Sequence, residues 1–399
     1  MANRQDSIVA ATNGVLQFMG AGTNYLVQTP AGVLYVVYVD QQADLTFRKS
    51  TDGGRTFSTP VNIFVGSITN LSVWYDRWSN IAAGLIHIAY TESGADDTLY
   101  RTIDTESADA LSTQTTIFAG ASTSGAGMLS IARAVGGNVY CRTTIDGGTE
   151  GGFFRLPNAN VPNGAWDAAR TIDEALGTTD QMILLPDYDA ADMQDMLAIF
   201  WDASANEISR KLYDDSANAW AETSIATSML DGLAAVAFPH FAVAMDIANT
   251  RHILVAWSAI DALDADLRCW TIDSGAITEV TNVVLNSTDN QGLCGICLDL
   301  ITGRWTVYYA GKSDGSETFY GLVNVYSKTS TDQGTTWGPE TQVTLGAREI
   351  QWLATCPRMY LGPATVWFHS DVPAFQNYNE LFMSVSTLVP RAGHQLLGG

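Results

Sequence analysis

Ser50-Thr51-Asp52-Gly53-Gly54-Arg55-Thr56-Phe57 comes back near the other end of the chain as Ser330-Thr331-Asp332-Gln333-Gly334-Thr335-Thr336-Trp337. A motif that recurs in this way marks a recurring structural unit, so the repeat has to be counted before other features are weighed. Each copy follows an apolar-alternating run, Leu45 to Ser50 in one case and Val323 to Ser330 in the other, which places the motif in a strand-to-strand turn. The residue types suit that position. An Asp carboxylate can accept backbone N–H groups of the turn, a Gly permits positive φ, and the terminal aromatic plugs the hairpin into a core. Ser50, Asp52, Gly54, Thr56 and Phe57, with Ser330, Asp332, Gly334, Thr336 and Trp337, are therefore read as structural turn residues.

Outward from the turns, a longer template emerges: strand, turn, second strand, loop, third strand, Asp turn and a short fourth strand. The second strands align as Val33–Tyr38, Leu85–Tyr90, Asn138–Arg142, Met196–Trp201, Ile253–Trp257, Arg304–Tyr309 and Ala364–Phe368. All but one of them place an aromatic at one register, namely Tyr38, Tyr90, Trp201, Trp257, Tyr309 and Phe368, as expected of packing between neighbouring sheets. Degraded turns keep an acid at Asp104, Asp214 and Asp273 or an aromatic at Trp166 and Trp220. The last unit stops after its third strand. Val15 to Phe18 matches Val61 to Phe64 in spacing and reads as a fourth strand preceding any first strand. The expectation is an all-β, seven-bladed β-propeller of four-stranded antiparallel blades, closed by that N-terminal strand completing the last blade. Residues 13–389 form the propeller, and residues 1–12 and 390–399 are arms dispensable for folding.

The pattern S-x-D-x-G-x-T-F/W resembles the Asp box (BNR repeat) of sialidases and related propellers. The resemblance implies blade architecture, and it implies that the boxes lie on the face opposite the functional one. The sialidase fold it points to has six blades, so the likeness covers the blade and two motifs rather than the whole plan. The other face is built by the loops from second to third strand. These carry Asp40, Asp44, Glu92, Asp96, Asp97, Asp202, Glu207, Asp261, Asp264, Asp266, Asp314, Glu317 and Asp371, with Asp146 and Glu150 in the third unit. Two readings stand side by side: a rim of carboxylates with a strong negative potential, or ordinary solvated loops of an acidic protein.

Composition bounds the partners. The formal net charge is −22, with only 20 Lys and Arg, which argues against nucleic acid and favours basic proteins or cations. No apolar run is long enough to span a bilayer, and no basic region followed by an apolar one marks a secretory signal. Five cysteines read as free thiols of a chain made in a reducing cytoplasm, and Cys294-Gly-Ile-Cys297 reads as packed thiols rather than a metal or redox site. No cofactor is required. Calcium is the one ion the clustered oxygens of Glu92 to Asp97 and Asp261 to Asp266 could take.

Catalytic signatures are sparse. No HExxH, G-x-S-x-G or phosphate-binding glycine loop is present. The resemblance would demand three arginines and a Tyr–Glu pair, and only Arg142, Arg268 and Arg348 could reach the supposed functional face. The expected function is therefore a non-catalytic structural or interaction component, resembling the Asp-box proteins of bacteriophage particles. Its expected partners are other virion subunits and copies of itself, with a surface glycan possible at the tail or particle surface. The competing expectation is a sialidase-like glycoside hydrolase or carbohydrate-binding propeller.

Overall fold

The second strands set the frame, because runs such as Leu34–Val39 and Met196–Asp202 bury nearly every residue, on both faces, instead of alternating. A strand buried on both sides must sit between two neighbouring sheets. The computed structural model describes residues 6–12, 25–40, 42–75, 84–120, 129–145, 150–172, 180–188, 191–202, 204–227, 229, 241–246, 251–259, 265–273, 276–285, 293–317, 323–344, 349–355, 358–359, 362, 364–370 and 379–385. Its strands form seven sheets.

In chain order, the first sheet is Leu26–Gln28, Leu34–Val39, Leu45–Ser50 and Val61–Phe64. The second is Ile68–Tyr75, Leu85–Glu92 and Thr98–Asp104, with Ala110–Leu111 and Thr115–Phe118 both pairing with Thr98–Asp104. The third is Ser130–Arg133, Val139–Ile145 and Glu150–Leu156. The fourth is Gln181–Pro186, Met196–Asp202, Glu207–Asp214 and Ala219–Thr227, and the fifth is Phe241–Asp246, Arg251–Ala259, Ala265–Asp273 and Ala276–Glu279. The sixth is Cys294–Asp299, Arg304–Ala310, Val325–Ser330 and Thr341–Gln342, with Arg358–Met359 parallel to its first strand. The seventh is Glu349–Thr355, Ala364–Ser370 and Asn379–Val385, with Asp6–Thr12 paired antiparallel to Asn379–Val385.

This is an all-β propeller with four-stranded antiparallel blades, and two expectations need correction. Six sheets carry four strands or more, where seven such blades are expected; the third has three among the described residues. A lone bridge, Phe153 to Arg170, stands where its fourth strand would pair. The segment there begins Trp166-Asp167-Ala168-Ala169-Arg170, a stretch without the β-branched residues that hold an edge strand. The N-terminal strand is also displaced from its expected position. Asp6–Thr12, expected as part of an arm, supplies the outer strand of the seventh sheet, while Val15 to Phe18 lies outside the described residues.

First strands meet first strands of neighbouring sheets: Ile68–Tyr75 lies against Ser130–Arg133, which lies against Gln181–Pro186, and Cys294–Asp299 lies between Phe241–Asp246 and Glu349–Thr355. The buried apolar residues fall into two clusters, and the second and fifth sheets contribute one face to each. In the fifth sheet Ile253, Val255 and Trp257 enter one cluster, whereas Leu254, Ala256 and Trp270 enter the other. The aromatic register is core, since Tyr38, Tyr90, Trp201, Trp257 and Tyr309 are all buried. Cys141, Cys269, Cys294 and Cys297 are buried free thiols. Among the described residues, no helix is long and apolar enough to cross a membrane.

Candidate functional site

Antiparallel pairing puts the third-to-fourth-strand turns at one end of each sheet and the second-to-third-strand loops at the other. At the turn end, Ser50 is buried and its Oγ donates to Asp52 Oδ1 at 2.7 Å while accepting from the Gly54 N–H at 2.8 Å. Asp52 Oδ1 accepts from the N–H groups of Arg55 and Thr56 at 3.0 Å each, and its Oδ2 accepts from Thr56 Oγ1 at 2.6 Å. Burial works against ionisation here, yet the hydrogen bonds from Thr56, Ser50 and Arg55 hold the Asp52 carboxyl down at about 2. Ser330, Asp332, Gly334 and Thr336 repeat this geometry, with Thr336 Oγ1 at 2.6 Å from Asp332 Oδ2 and the Gly334 N–H at 2.9 Å from Ser330 Oγ. Gly54 and Gly334 have φ of 87° and 85°, the left-handed region that glycine reaches without a Cβ clash.

Phe57 and Trp337 pack, partly buried, against the core. The tryptophans also do something the sequence does not announce. Trp337 Nε1 donates to the Thr281 carbonyl of the fifth sheet's end at 3.0 Å, and Trp220 Nε1 donates to the Thr171 carbonyl beside the third sheet at 2.9 Å. Trp166 Nε1 reaches Thr115 Oγ1 of the second sheet at 3.4 Å. In each case the turn of one sheet holds the trailing edge of the sheet before it.

At the loop end, the carboxylates are engaged locally. Asp40 accepts from the N–H groups of Gln42 and Asp44, Glu92 from those of Gly94 and Ala95, and Asp202 from Ser204 and Ala205. Asp44 accepts from the Gly66 N–H and Asp97 from the Gly120 N–H, each tying a loop to the next connection. Asp266 is buried and accepts from Asn282. Asp314 pairs with Lys312 and takes two bonds from Ser316, which together hold its carboxyl at about 2. Asp96 adopts positive φ, and Glu207 begins the third strand of the fourth sheet. Asp261, Asp264 and Asp371 lie outside the described residues, as does Asp146. No group of three metal-ligating side chains occurs among the described residues.

The sixth sheet brings two tyrosines onto two glutamates at this end. Tyr309 OH donates to Glu340 Oε2 at 2.6 Å, where the Ser313 N–H also arrives at 2.8 Å. Tyr326 OH donates to Glu317 Oε1 at 2.9 Å, and Asn324 closes on both Glu317 oxygens. Burial, then the adjoining carboxylate, pushes both phenols above their usual range, so each remains a proton donor. The arginines do not join them. Arg142 is buried within the third sheet, Arg268 is held by both Glu279 oxygens at 2.7 Å over the Trp270 ring, and Arg348 lies outside the described residues.

Back at the turn end, a cavity of about 310 Å³ opens between the second and third sheets. Leu85, Thr102, Asp104, Leu111 and Ser112 line it from one side, and Arg133, Asn158, Val161, Pro162 and Asn163 from the other. Sequence reasoning missed it, because its walls come from segments about fifty residues apart.

No known protein family and no curated protein matches the chain. Solved structures do. An ulvan lyase of polysaccharide lyase family PL25, bound to GlcA(1-4)Rha3S, superposes with a TM-score of 0.58 at 11% identity, covering 95% of each chain. A mutant of AofleA from Arthrobotrys oligospora superposes with a TM-score of 0.50 at 10% identity, covering 86% of this chain and 91% of its own. Hadza microbial sialidase Hz136 is similar at a TM-score of 0.46 and 11% identity, covering 94% of this chain and 66% of its own. At such identities the likeness shows the fold alone. It is enough to correct the expectation of a non-catalytic chain: the fold is one that a polysaccharide lyase uses over its whole length, so structural Asp turns carry no argument against an enzyme.

Proposed function

We propose that this chain is a carbohydrate-active propeller, acting on a polysaccharide at the end of the sheets away from the Asp turns. The observation that carries the reading is the extent of the shared fold, 95% of this chain against 95% of an ulvan lyase. Two features support it. The turn end is committed to holding blades together, through Asp52, Asp332 and the tryptophan bonds. The opposite end carries carboxylates, among them the half-buried Glu340 and Glu317 that the sixth sheet's tyrosines orient, groups able to take part in acid–base chemistry on a sugar. We further read the seven sheets as one closed ring, residues 6–385, joined where Asp6–Thr12 pairs with Asn379–Val385.

Incubation with a panel of uronate-containing, sialylated and neutral polysaccharides tests the function. Ultraviolet absorbance of unsaturated ends would report lyase action, reducing ends would report hydrolysis, and a glycan array would report binding. A Glu340→Gln variant should then lose activity with a normal melting curve. Silence in all three assays across the panel would sink the reading.

A further inference from the structure

We propose that the cavity between the second and third sheets binds a neutral polyhydroxylated ring, a single sugar residue or a cyclic polyol. This site lies at the Asp-turn end, apart from the face assigned to polysaccharide chemistry, and it does not depend on that assignment.

The lining divides by chemistry. From the second sheet, Asp104 Oδ1 accepts the N–H groups of Glu106 and Ser107 at 3.0 and 3.1 Å, which fixes the carboxylate and leaves Oδ2 as an acceptor. From the third-sheet side come two amides oriented by bonds to their oxygens. Asn158 Oδ1 accepts from Arg133 Nη2 at 2.9 Å, and Asn163 Oδ1 accepts from the Thr113 N–H at 2.9 Å. Both NH2 groups are thereby left to donate elsewhere. A fixed acceptor and two fixed donors lining one cavity suit hydroxyl groups, each of which can give one hydrogen bond and take others. Leu85, Leu111, Val161 and Pro162 supply apolar wall for the C–H faces of a ring. The volume, about 310 Å³, lies at the small end of ligand sites.

Charge selects against an anion. Asp104 lines the cavity, the chain carries −22 overall, and buried Arg133 spends Nε on the Gly137 carbonyl at 2.8 Å and Nη2 on Asn158. Arg133 thus positions Asn158 instead of presenting a free cation. His87, the cross-strand neighbour of lining Thr102, is fully buried outside the lining and meets Tyr100 OH through Nδ1 at 2.7 Å.

Calorimetric titration of the full chain with neutral hexoses, 6-deoxyhexoses and inositol, with glucuronate as the charged control, tests the site. A neutral ring should saturate one site. Asn163→Ala should weaken it by about five- to tenfold, the loss of one hydrogen bond. Leu111→Trp, which fills the cavity, should abolish it. Should either variant change the melting curve, Asp104→Asn, equal in size, serves in its place and should also weaken binding. No saturable binding of any neutral ring, tighter binding of glucuronate, or binding indifferent to these substitutions would overturn the proposal. Polysaccharide activity should be unaffected by all three, so the two readings fail separately.

Discussion

The indole N–H of Trp337 donates to the carbonyl of Thr281 across the boundary between the sixth and fifth sheets, at 3.0 Å. Thr281 returns the contact, its Oγ1 donating to the Thr335 carbonyl at 2.6 Å. The last residue of the Asp turn is therefore a clasp on the preceding sheet as well as a plug for its own hairpin. Lys328 does the same one register inward, its Nζ reaching the Val283 carbonyl at 2.8 Å.

Trp337→Phe keeps a ring against the core but removes the donor. The expected loss is about 0.5–1.5 kcal/mol, the net worth of one hydrogen bond whose acceptor can still find water. Urea unfolding of the variant measures it. A change of less than a few tenths of a kcal/mol would show the clasp to be geometrically present and energetically idle.

The two strong Asp turns predict an acid-sensitive contribution to stability. Asp52 is held at about 2 when folded, against 3.8 ordinarily, so the folded carboxyl is the stronger acid. Its contribution is complete above about 3.8 and is lost as pH falls to about 2. Asp332 is lowered in the same direction, chiefly by Thr336. The double variant Asp52→Asn, Asp332→Asn should flatten the acid limb of a melting-temperature profile between pH 4 and pH 2 and leave its neutral part nearly parallel to the parent's. Ser330→Ala tests the buried half of the same turn. It strands the Gly334 N–H, which is buried, at a cost of about 1–3 kcal/mol.

Why some of this could be read in advance and some not follows from where each signal resides. The second strands were visible, most clearly Leu34–Val39 and Met196–Asp202, because burial on both faces writes a nearly unbroken apolar run, and six of the seven carry an aromatic at a fixed register. The Asp turns were visible because every bond within them joins residues at most a few positions apart. Asp6–Thr12 was not, since Asp-Ser-Ile-Val-Ala-Ala-Thr pairs with a strand at the far end of the chain and carries no turn motif of its own. The rim acids looked like a shared surface in sequence, yet Asp40, Glu92 and Asp202 each accept from backbone two or three residues on, a short-range role that a list of acidic loops cannot display. The interblade cavity required knowing that Asn163 reaches Thr113.

His87 gives a second pH prediction, of opposite origin. Burial, then the Arg133 charge, holds the imidazole well below its usual 6.5, so it is neutral in the fold and protonates readily only when unfolded. Below pH 6.5 the unfolded chain binds a proton that the folded one refuses, and stability falls as pH falls. The slope from this one group is at most about 1.4 kcal/mol per pH unit. His87→Gln should remove that part of the slope between pH 6.5 and 5 while retaining a polar partner for Tyr100. An unchanged slope would mean that other groups carry the whole pH dependence.

Removal of residues 1–12 separates the observed topology from the one expected of a free arm. An arm could be cut away without consequence for folding. In the structure, Asp6–Thr12 pairs residue by residue with Asn379–Val385, from Asp6 opposite Ser384 to Thr12 opposite Asn379, with one register shift between Ile8 and Ala10. Val9 is fully buried within the same apolar cluster as the first sheet. Deletion would strip the seventh sheet of its outer strand and expose the backbone of Asn379–Val385 as an unpaired edge, a template for pairing with another chain. The expected outcome is a markedly lower melting temperature together with concentration-dependent association, followed by light scattering. Adding the excised segment back as a peptide, Asp6 to Thr12 with its flanks, should restore part of the loss in a saturable way. A truncated chain that melts like the parent and stays monomeric would mean that this pairing is not needed to hold the propeller together.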